Sequence, residues 1–197
     1  MKKPATIARV ATLTELGPTL PGTARAAISA ALTGIPLVLP EARPDLSYAV
    51  FVTLRGARDE LRGCVGALTP REPDLVRETA RCAVLAAASD PRFPPVTLSE
   101  LAGLSIAVSV LMPEEPVAEL VDLDPRRFGV VVRDESGLRG LLLPEVPGVE
   151  DAAQQVAIAR RKAGIPAGSR VMLARFAVRK FGDRVGAAGI EPATSSV

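Results

Sequence analysis

Histidine, tryptophan and asparagine are absent from the 197-residue sequence. Without histidine the chain cannot form a Ser–His–Asp triad, a Cys–His dyad or an imidazole metal site, and without asparagine it cannot build an asparagine-based oxyanion hole. Catalysis would therefore have to use cysteine, carboxylates, hydroxyls, lysine or arginine. The residue types that are present give no reason to expect a metal or another cofactor.

Cysteine is scarce as well, with only Cys64 and Cys82. Two cysteines cannot make a disulfide framework, which favours a reducing compartment, so we expect a cytoplasmic protein. The longest apolar run, 104–112, is much shorter than the roughly 18 residues of a membrane span. Arg9 interrupts the apolar stretch that could otherwise form a signal peptide. We therefore expect neither a membrane association nor export.

The chain also has little net positive charge and few aromatic side chains. The formal net charge is +2, and aromatic residues make up 3% of the chain. Nucleic-acid binding usually shows clustered basic residues, or aromatic rings that stack on bases. The scattered arginines leave RNA or nucleotide binding as an alternative, but we do not expect nucleic acid to be the partner.

The apolar periodicity predicts an α+β fold in which an antiparallel-dominated sheet is flanked by helices. The expected strands form two hairpins, 47–54 with 61–68 and 128–133 with 138–143, and two further strands, 104–112 and 171–181. Helices are expected at 23–32, from a capping box at Thr69-Pro70-Arg71-Glu72 onward and at 150–163, and a turn or short helix is expected at 99–102. We expect one domain over 16–182 and a disordered tail over 183–197, where no apolar period remains.

The segment from Leu61 to Gly66 contains the residues that are the best candidates for a reactive site. In a strand, Arg62 and Cys64 share one face, about 7 Å apart. A guanidinium beside a thiol is typical of a reactive cysteine, and Gly63 and Gly66 would leave bare backbone for a substrate to approach closely. The alternative is that Cys64 is a buried cysteine in a core strand. We interpret Cys82 as a buried cysteine on the core face of its helix.

The proline-rich loop 90–95 has two interpretations. The prolines could hold Arg92 rigidly for a contact with a carboxylate or phosphate, with Asp90 orienting it. The same loop could instead be a stiff connector in which Phe93 fills the core and Asp90 caps a turn.

Six short motifs occur in an order that resembles the AMMECR family, protein A of AmmeMemoRadiSam-type systems, over about residues 20–181. The motifs are Phe51-Val52-Thr53-Leu54, Leu61-Arg62-Gly63-Cys64-Val65-Gly66, Asp90-Pro91-Arg92-Phe93-Pro94-Pro95, Val108-Ser109-Val110-Leu111, Leu142-Leu143-Pro144 and Lys162-Ala163-Gly164. The resemblance implies an α+β unit of two lobes, with a cleft between them near the Arg-Gly-Cys strand. It also implies Memo-type or radical SAM proteins as partners, and no established reaction.

The sequence departs from the family pattern at two places. Phe128 occupies a position where members often carry histidine, and no tryptophan follows the Lys162 motif. Our leading hypothesis is an enzyme or enzyme-like protein with Cys64 as the nucleophile and Arg62 and Arg92 as partners of a small anionic or electrophilic ligand. The alternative is a non-catalytic partner subunit of Memo-type or radical SAM proteins.

Overall fold

The computed structural model describes residues 12–41 and 43–183. Residues 12–16 are helical. The α-helices that lie wholly within the described ranges are α1 (Leu20–Thr33), α2 (Leu75–Ala88), α3 (Leu98–Leu101) and α4 (Ala152–Lys162). The strands are β1 (Val50–Arg55), β2 (Leu61–Gly66), β3 (Ser105–Leu111), β4 (Glu115–Val117), β5 (Gly129–Asp134), β6 (Arg139–Leu142), β7 (Val171–Phe176) and β8 (Val178–Asp183).

These strands form two four-stranded sheets in two compact units. The first unit contains the described residues up to 110 together with 180–183, and the second is Leu111–Arg179. The strand orders are β2-β1-β3-β8 and β4-β7-β5-β6, and the pairings of β1, β5 and β7 are antiparallel. The predicted α+β class is confirmed, with two antiparallel sheets where the sequence suggested one. A cleft between lobes stays a prediction.

In the first unit, helices cover one face of the sheet. The alternating residues Val50, Val52 and Leu54 of β1 are fully buried, and so are their neighbours on β3. Helix α2 packs against β1 and β2, and α1 packs against α2. Both predicted hairpins are present, because apolar, β-branched segments on either side of a turn-forming segment are a signal that local sequence carries well.

The second unit has its own core between α4 and the strands β5 and β6. The buried apolar residues of this cluster are Leu123, Val130, Val132, Leu142, Val156, Ala159 and Ile165. Asp151 caps α4 by accepting a 2.8 Å hydrogen bond from the Gln154 N–H. The helix predicted over 150–163 is therefore present, with a slightly later start.

The prediction that a helix begins at the Thr69 capping box is wrong. Helix α2 begins at Leu75, and its cap is Asp74, whose side chain accepts from the Arg77 N–H at 2.9 Å. Pro73 explains the late start, because a residue before proline is disfavoured in helical conformation.

The strand predicted over 171–181 is interrupted at Ala177. Its first part is β7, which lies between β4 and β5, and its second part is β8, which lies beside β3 in the other sheet. The Ala177 carbonyl accepts a 2.9 Å hydrogen bond from the Met112 N–H. The predicted tail starts at Asp183, which is the last residue of β8, and its remaining residues lie outside the described residues.

Candidate functional site

The candidate site lies on β2, which is an edge strand of its sheet. Cys64 pairs with Thr53 of β1, and its side chain is partly exposed. Gly63 faces α2, so the pleat directs Cys64 and Arg62 to the opposite face of the sheet. The strand therefore presents its thiol on the face that α2 does not cover.

Both glycines of the motif are required by packing within the chain. A Cβ at Gly63 would overlap the backbone carbonyl of Ala86 in α2, and a Cβ at Gly66 would overlap the Val50 carbonyl and the Phe51 ring. The sequence interpretation attributed these glycines to the close approach of a substrate. Close contacts inside the protein already account for the absence of their side chains.

Asp90 and Arg92 bind the backbone of Cys64. The Cys64 N–H donates to Asp90 Oδ2 at 2.8 Å, and Arg92 Nη2 donates to the Cys64 carbonyl at 3.4 Å. Arg92 also forms a two-pronged ion pair with Asp90, at 2.9 and 2.7 Å. The Asp90 side chain is 3% exposed and that of Arg92 is 54% exposed. Asp90 is thus a structural anchor, while the Arg92 guanidinium still faces solvent.

In the Asp90–Arg92 ion pair, each residue stabilises the charged form of the other. The hydrogen bond from Arg92, assisted by the N–H of Cys64, lowers the pKa of Asp90 well below its usual range. The hydrogen bond to Asp90 is the main cause that raises the pKa of Arg92, and an ionised Cys64 contributes to the same effect. The two side chains therefore remain charged at neutral pH, and Arg92 lies within electrostatic range of the thiol.

The sequence suggested that Arg62 is a cation available to the thiol or to a ligand, but its guanidinium makes other contacts. Its guanidinium binds both carboxylate oxygens of Glu100, at 3.0 and 3.4 Å, and donates to the carbonyls of Pro94 and Pro95 at 2.8 and 3.2 Å. The Arg62 side chain is 15% exposed. Arg62 thus fastens the proline loop to β2, and its charge is already balanced by a carboxylate. Arg92 is also paired with a carboxylate, but it contacts the Cys64 carbonyl and its side chain is 54% exposed.

Comparison with known proteins agrees with the motif order. The model of the AMMECR1 family matches residues 21–181. The chain belongs to the AMMECR1 family. A protein of Thermotoga maritima is 43% identical over 144 residues, which cover 73% of this chain and 82% of that protein. A protein of Clostridium acetobutylicum is 36% identical over 76% of this chain, but the match spans only 31% of its length.

The fold is also similar to a solved AMMECR1-family structure. The crystal structure of the uncharacterized protein PH0010 from Pyrococcus horikoshii matches with a TM-score of 0.70 and 34% identity, covering 86% of this chain and 92% of that one. This likeness supports the α+β fold and the family, and it assigns no reaction.

Thr53 is a neighbour of the thiol that the sequence interpretation missed. Its Oγ1 lies 3.3 Å from the Cys64 sulfur, and either atom can donate. The signal that could have found it is the hairpin register, which places Thr53 directly opposite Cys64. A hydroxyl beside a sulfur can donate a hydrogen bond to the thiolate.

Cys82 lies in a very different environment. It is fully buried on α2, where its sulfur lies 3.4 Å from Arg81 Nη2 and 3.5 Å from a Glu78 oxygen. Burial raises the pKa of the Cys82 thiol to about 12, and the Glu78 carboxylate adds to that effect. Cys82 therefore stays a neutral core thiol at physiological pH.

Two further observations concern the part of the chain that the structure describes. No group of three or more histidine, cysteine, aspartate or glutamate side chains is arranged there to hold a metal ion. None of the helices there has the length and apolar character that a membrane crossing requires.

Proposed function

We propose that this AMMECR1-family protein binds a small anionic or electrophilic ligand on the exposed face of β2, with Cys64 as its nucleophile. The observation that carries the proposal is the setting of the Cys64 thiol, which is partly exposed, lies 3.3 Å from the Thr53 hydroxyl and belongs to a residue whose carbonyl accepts from the Arg92 guanidinium at 3.4 Å. A cation and a hydrogen-bond donor near a sulfur both favour the nucleophilic thiolate.

The arrangement supports attack on an electrophilic carbon. The thiol loses its proton to solvent, the thiolate electron pair forms the S–C bond, and the bond to the leaving group breaks with its electrons. Arg92 is half-exposed and can pair with an anionic group of the ligand while it keeps Asp90 bound. Gly63 and Gly66 stay proposed backbone contacts for that ligand.

Asp90 and Arg62 hold the strand and its neighbouring loop in place and do not take part in the reaction. Asp90 fixes the backbone N–H of Cys64, and Arg62 fixes the loop that carries Asp90 and Arg92. We therefore assign Asp90 and Arg62 as positioning residues. Their substitution should affect the reactivity of Cys64 through geometry and stability together.

The test is alkylation of the native protein by iodoacetamide near neutral pH, followed by peptide mass spectrometry. Cys64 should be modified at least about a hundredfold faster than Cys82, because the reactive form is the thiolate and Cys82 is both buried and protonated. Thr53→Val and Arg92→Gln should each slow modification of Cys64 about threefold or more by removing a group that favours the thiolate.

Arg55→Gln is the matched control, because Arg55 lies on the neighbouring strand and pairs with Asp59 away from the thiol. It should leave the rate unchanged. Equal protection of the two cysteines in the folded protein would overturn the nucleophile proposal. That result would favour the alternative, in which the chain is a non-catalytic partner subunit of a Memo-type or radical SAM protein.

A further inference from the structure

The unit Leu111–Arg179 carries a small pocket at the end of the β5–β6 hairpin. Its volume is about 170 Å³, and it is lined by Arg133, Glu135, Arg170, Val171 and Met172. Pockets for drug-sized ligands measure about 300–1,000 Å³. The occupant of this pocket must therefore be small, and the lining contains charges of both signs beside apolar surface.

Arg133 is held in a fixed orientation on one wall. Its Nη2 lies 2.6 Å from one oxygen of Glu114, and Arg139 lies 2.6 Å from the other oxygen. One carboxylate is thus shared by two guanidiniums, which leaves an excess of positive charge. The other N–H groups of Arg133 have no partner within residues 12–41 and 43–183, so they are free to donate to a ligand.

Glu135 is carried by a rigid turn. The Asp134 carboxylate accepts hydrogen bonds from the Ser136 N–H at 3.0 Å, the Ser136 hydroxyl at 2.8 Å and the Leu138 N–H at 2.8 Å. This network fixes the loop between β5 and β6. The Glu135 carboxylate itself is exposed and pairs with no residue of the described chain.

Arg170 follows a loop that is also fixed. A single nitrogen of Arg160 donates to three carbonyls of the loop 166–169 at 2.5 to 2.8 Å. The Arg170 guanidinium has no ion-pair partner among the described residues, and it does not pair with Glu135 although both line the same pocket. The pocket lining thus contains a cation and an anion that do not pair with each other.

We propose that this pocket binds a free α-amino acid with an apolar side chain. The ligand carboxylate would lie between Arg133 and Arg170, its ammonium against Glu135, and its side chain against Val171 and Met172, which is 64% exposed. Arg170 and Glu135 match the two charges of a zwitterion, because neither has an ion-pair partner among the described residues that it must leave before binding.

The experiment is a calorimetric titration of the full chain with three probes that share the isobutyl side chain of leucine. L-leucine carries both charges, isocaproate lacks the amino group and isoamylamine lacks the carboxylate. L-leucine should bind at least about tenfold more tightly than either probe, since each lost charge contact is worth about that factor.

Two variants assign the contacts. Arg170→Gln should weaken L-leucine binding about tenfold, and Glu135→Gln should weaken L-leucine binding while leaving isocaproate binding unchanged. Arg126→Gln and Glu119→Gln, exposed residues of the same unit, are the controls and should change nothing. Equal affinity for L-leucine and isocaproate, absence of L-leucine binding, or insensitivity to Arg170→Gln would each overturn the proposal. None of these outcomes depends on Cys64.

Discussion

The two units of the molecule share one packing feature but differ in the residue beside it. In each, a helix lies directly over a glycine of an edge strand: α2 covers Gly63 of β2, and α4 covers Gly140 of β6, where a Cβ would overlap the Ala159 carbonyl. Only β2 carries a cysteine next to that glycine. The comparison teaches that Gly63 belongs to helix–sheet packing, and that the evidence for chemistry lies in Cys64 and its neighbours.

A second difference concerns the buried polar side chain of each covering helix. Glu78 of α2 is fully buried and accepts from the N–H groups of Arg71 and Glu72 at 2.9 Å. Gln155 of α4 is also fully buried, but it is neutral and donates to the Phe128 carbonyl at 2.9 Å. The helix that covers the first sheet therefore buries a charge, whereas the helix that covers the second sheet buries a neutral amide.

The largest effect should follow from Glu78→Gln. Burial alone would raise the pKa of Glu78, but the hydrogen bonds from Arg81 and from two backbone N–H groups outweigh it and lower the pKa. Replacing the carboxylate removes its charge and one acceptor oxygen, so the amide NH2 group must face either the Arg81 guanidinium or the two backbone N–H groups. We expect a loss of about 3–5 kcal/mol in the free energy of unfolding, measured with urea. The exposed control Glu119→Gln should leave stability unchanged, and an equally stable Glu78→Gln protein would show that the charge is dispensable.

The next largest effect should come from the two glycines. Gly63→Ala and Gly140→Ala each force a strand away from a helix, and each should lower the free energy of unfolding by about 2–3 kcal/mol. Gly22→Ala is the opposite control, because α1 has open space at that position and alanine favours helix; it should add up to about 1 kcal/mol. If Gly63→Ala left stability intact but abolished reactivity of Cys64, the shared packing role would be contradicted.

The smallest effect should be an acid dependence of the first unit. The hydrogen bond from Arg62, together with the N–H of Thr97, lowers the pKa of Glu100 from 4.5 to about 2. A carboxylate with a lowered folded-state pKa stabilises the protein fully above its ordinary pKa, and that stabilisation is lost as the pH falls from 4.5 towards 2.

The check is a series of Tm measurements on the wild type and Glu100→Gln. The wild type should melt at the higher temperature near neutral pH, and the difference should shrink as the pH falls through that window. If the difference in Tm stayed constant with pH, the Arg62–Glu100 pair would stabilise the protein through contacts that do not depend on the charge of Glu100.

Local sequence patterns predicted most of the fold. The hairpins β1–β2 and β5–β6 follow from apolar segments on either side of a turn-forming segment, and α4 follows from the acids at its start, the cations of its last turn and the Gly164 and Pro166 that end it. The errors arose where the pattern is ambiguous. Apolar alternation continues through Ala177, so nothing local marks the change from one sheet to the other.

The site was predicted less completely because its contacts join distant positions. Placing Arg62 and Cys64 on one face was a correct use of the pleat, but the partner of Arg62 is Glu100, 38 positions away. The guanidinium of Arg62 also donates hydrogen bonds to the carbonyls of Pro94 and Pro95, and no local sequence spacing predicts these contacts. Whether Cys64, Arg92 and the two glycines bind a ligand stays a prediction.

The Asp90–Arg92 pair also bears on how the protein behaves in a concentrated solution. Edge strands present free N–H and C=O groups that can recruit a strand from another molecule. At Cys64 both groups are already occupied, the N–H by Asp90 and the C=O by Arg92. Two side chains thereby take the place of a neighbouring strand, and they protect the middle of β2 against intermolecular sheet growth while its thiol face stays open.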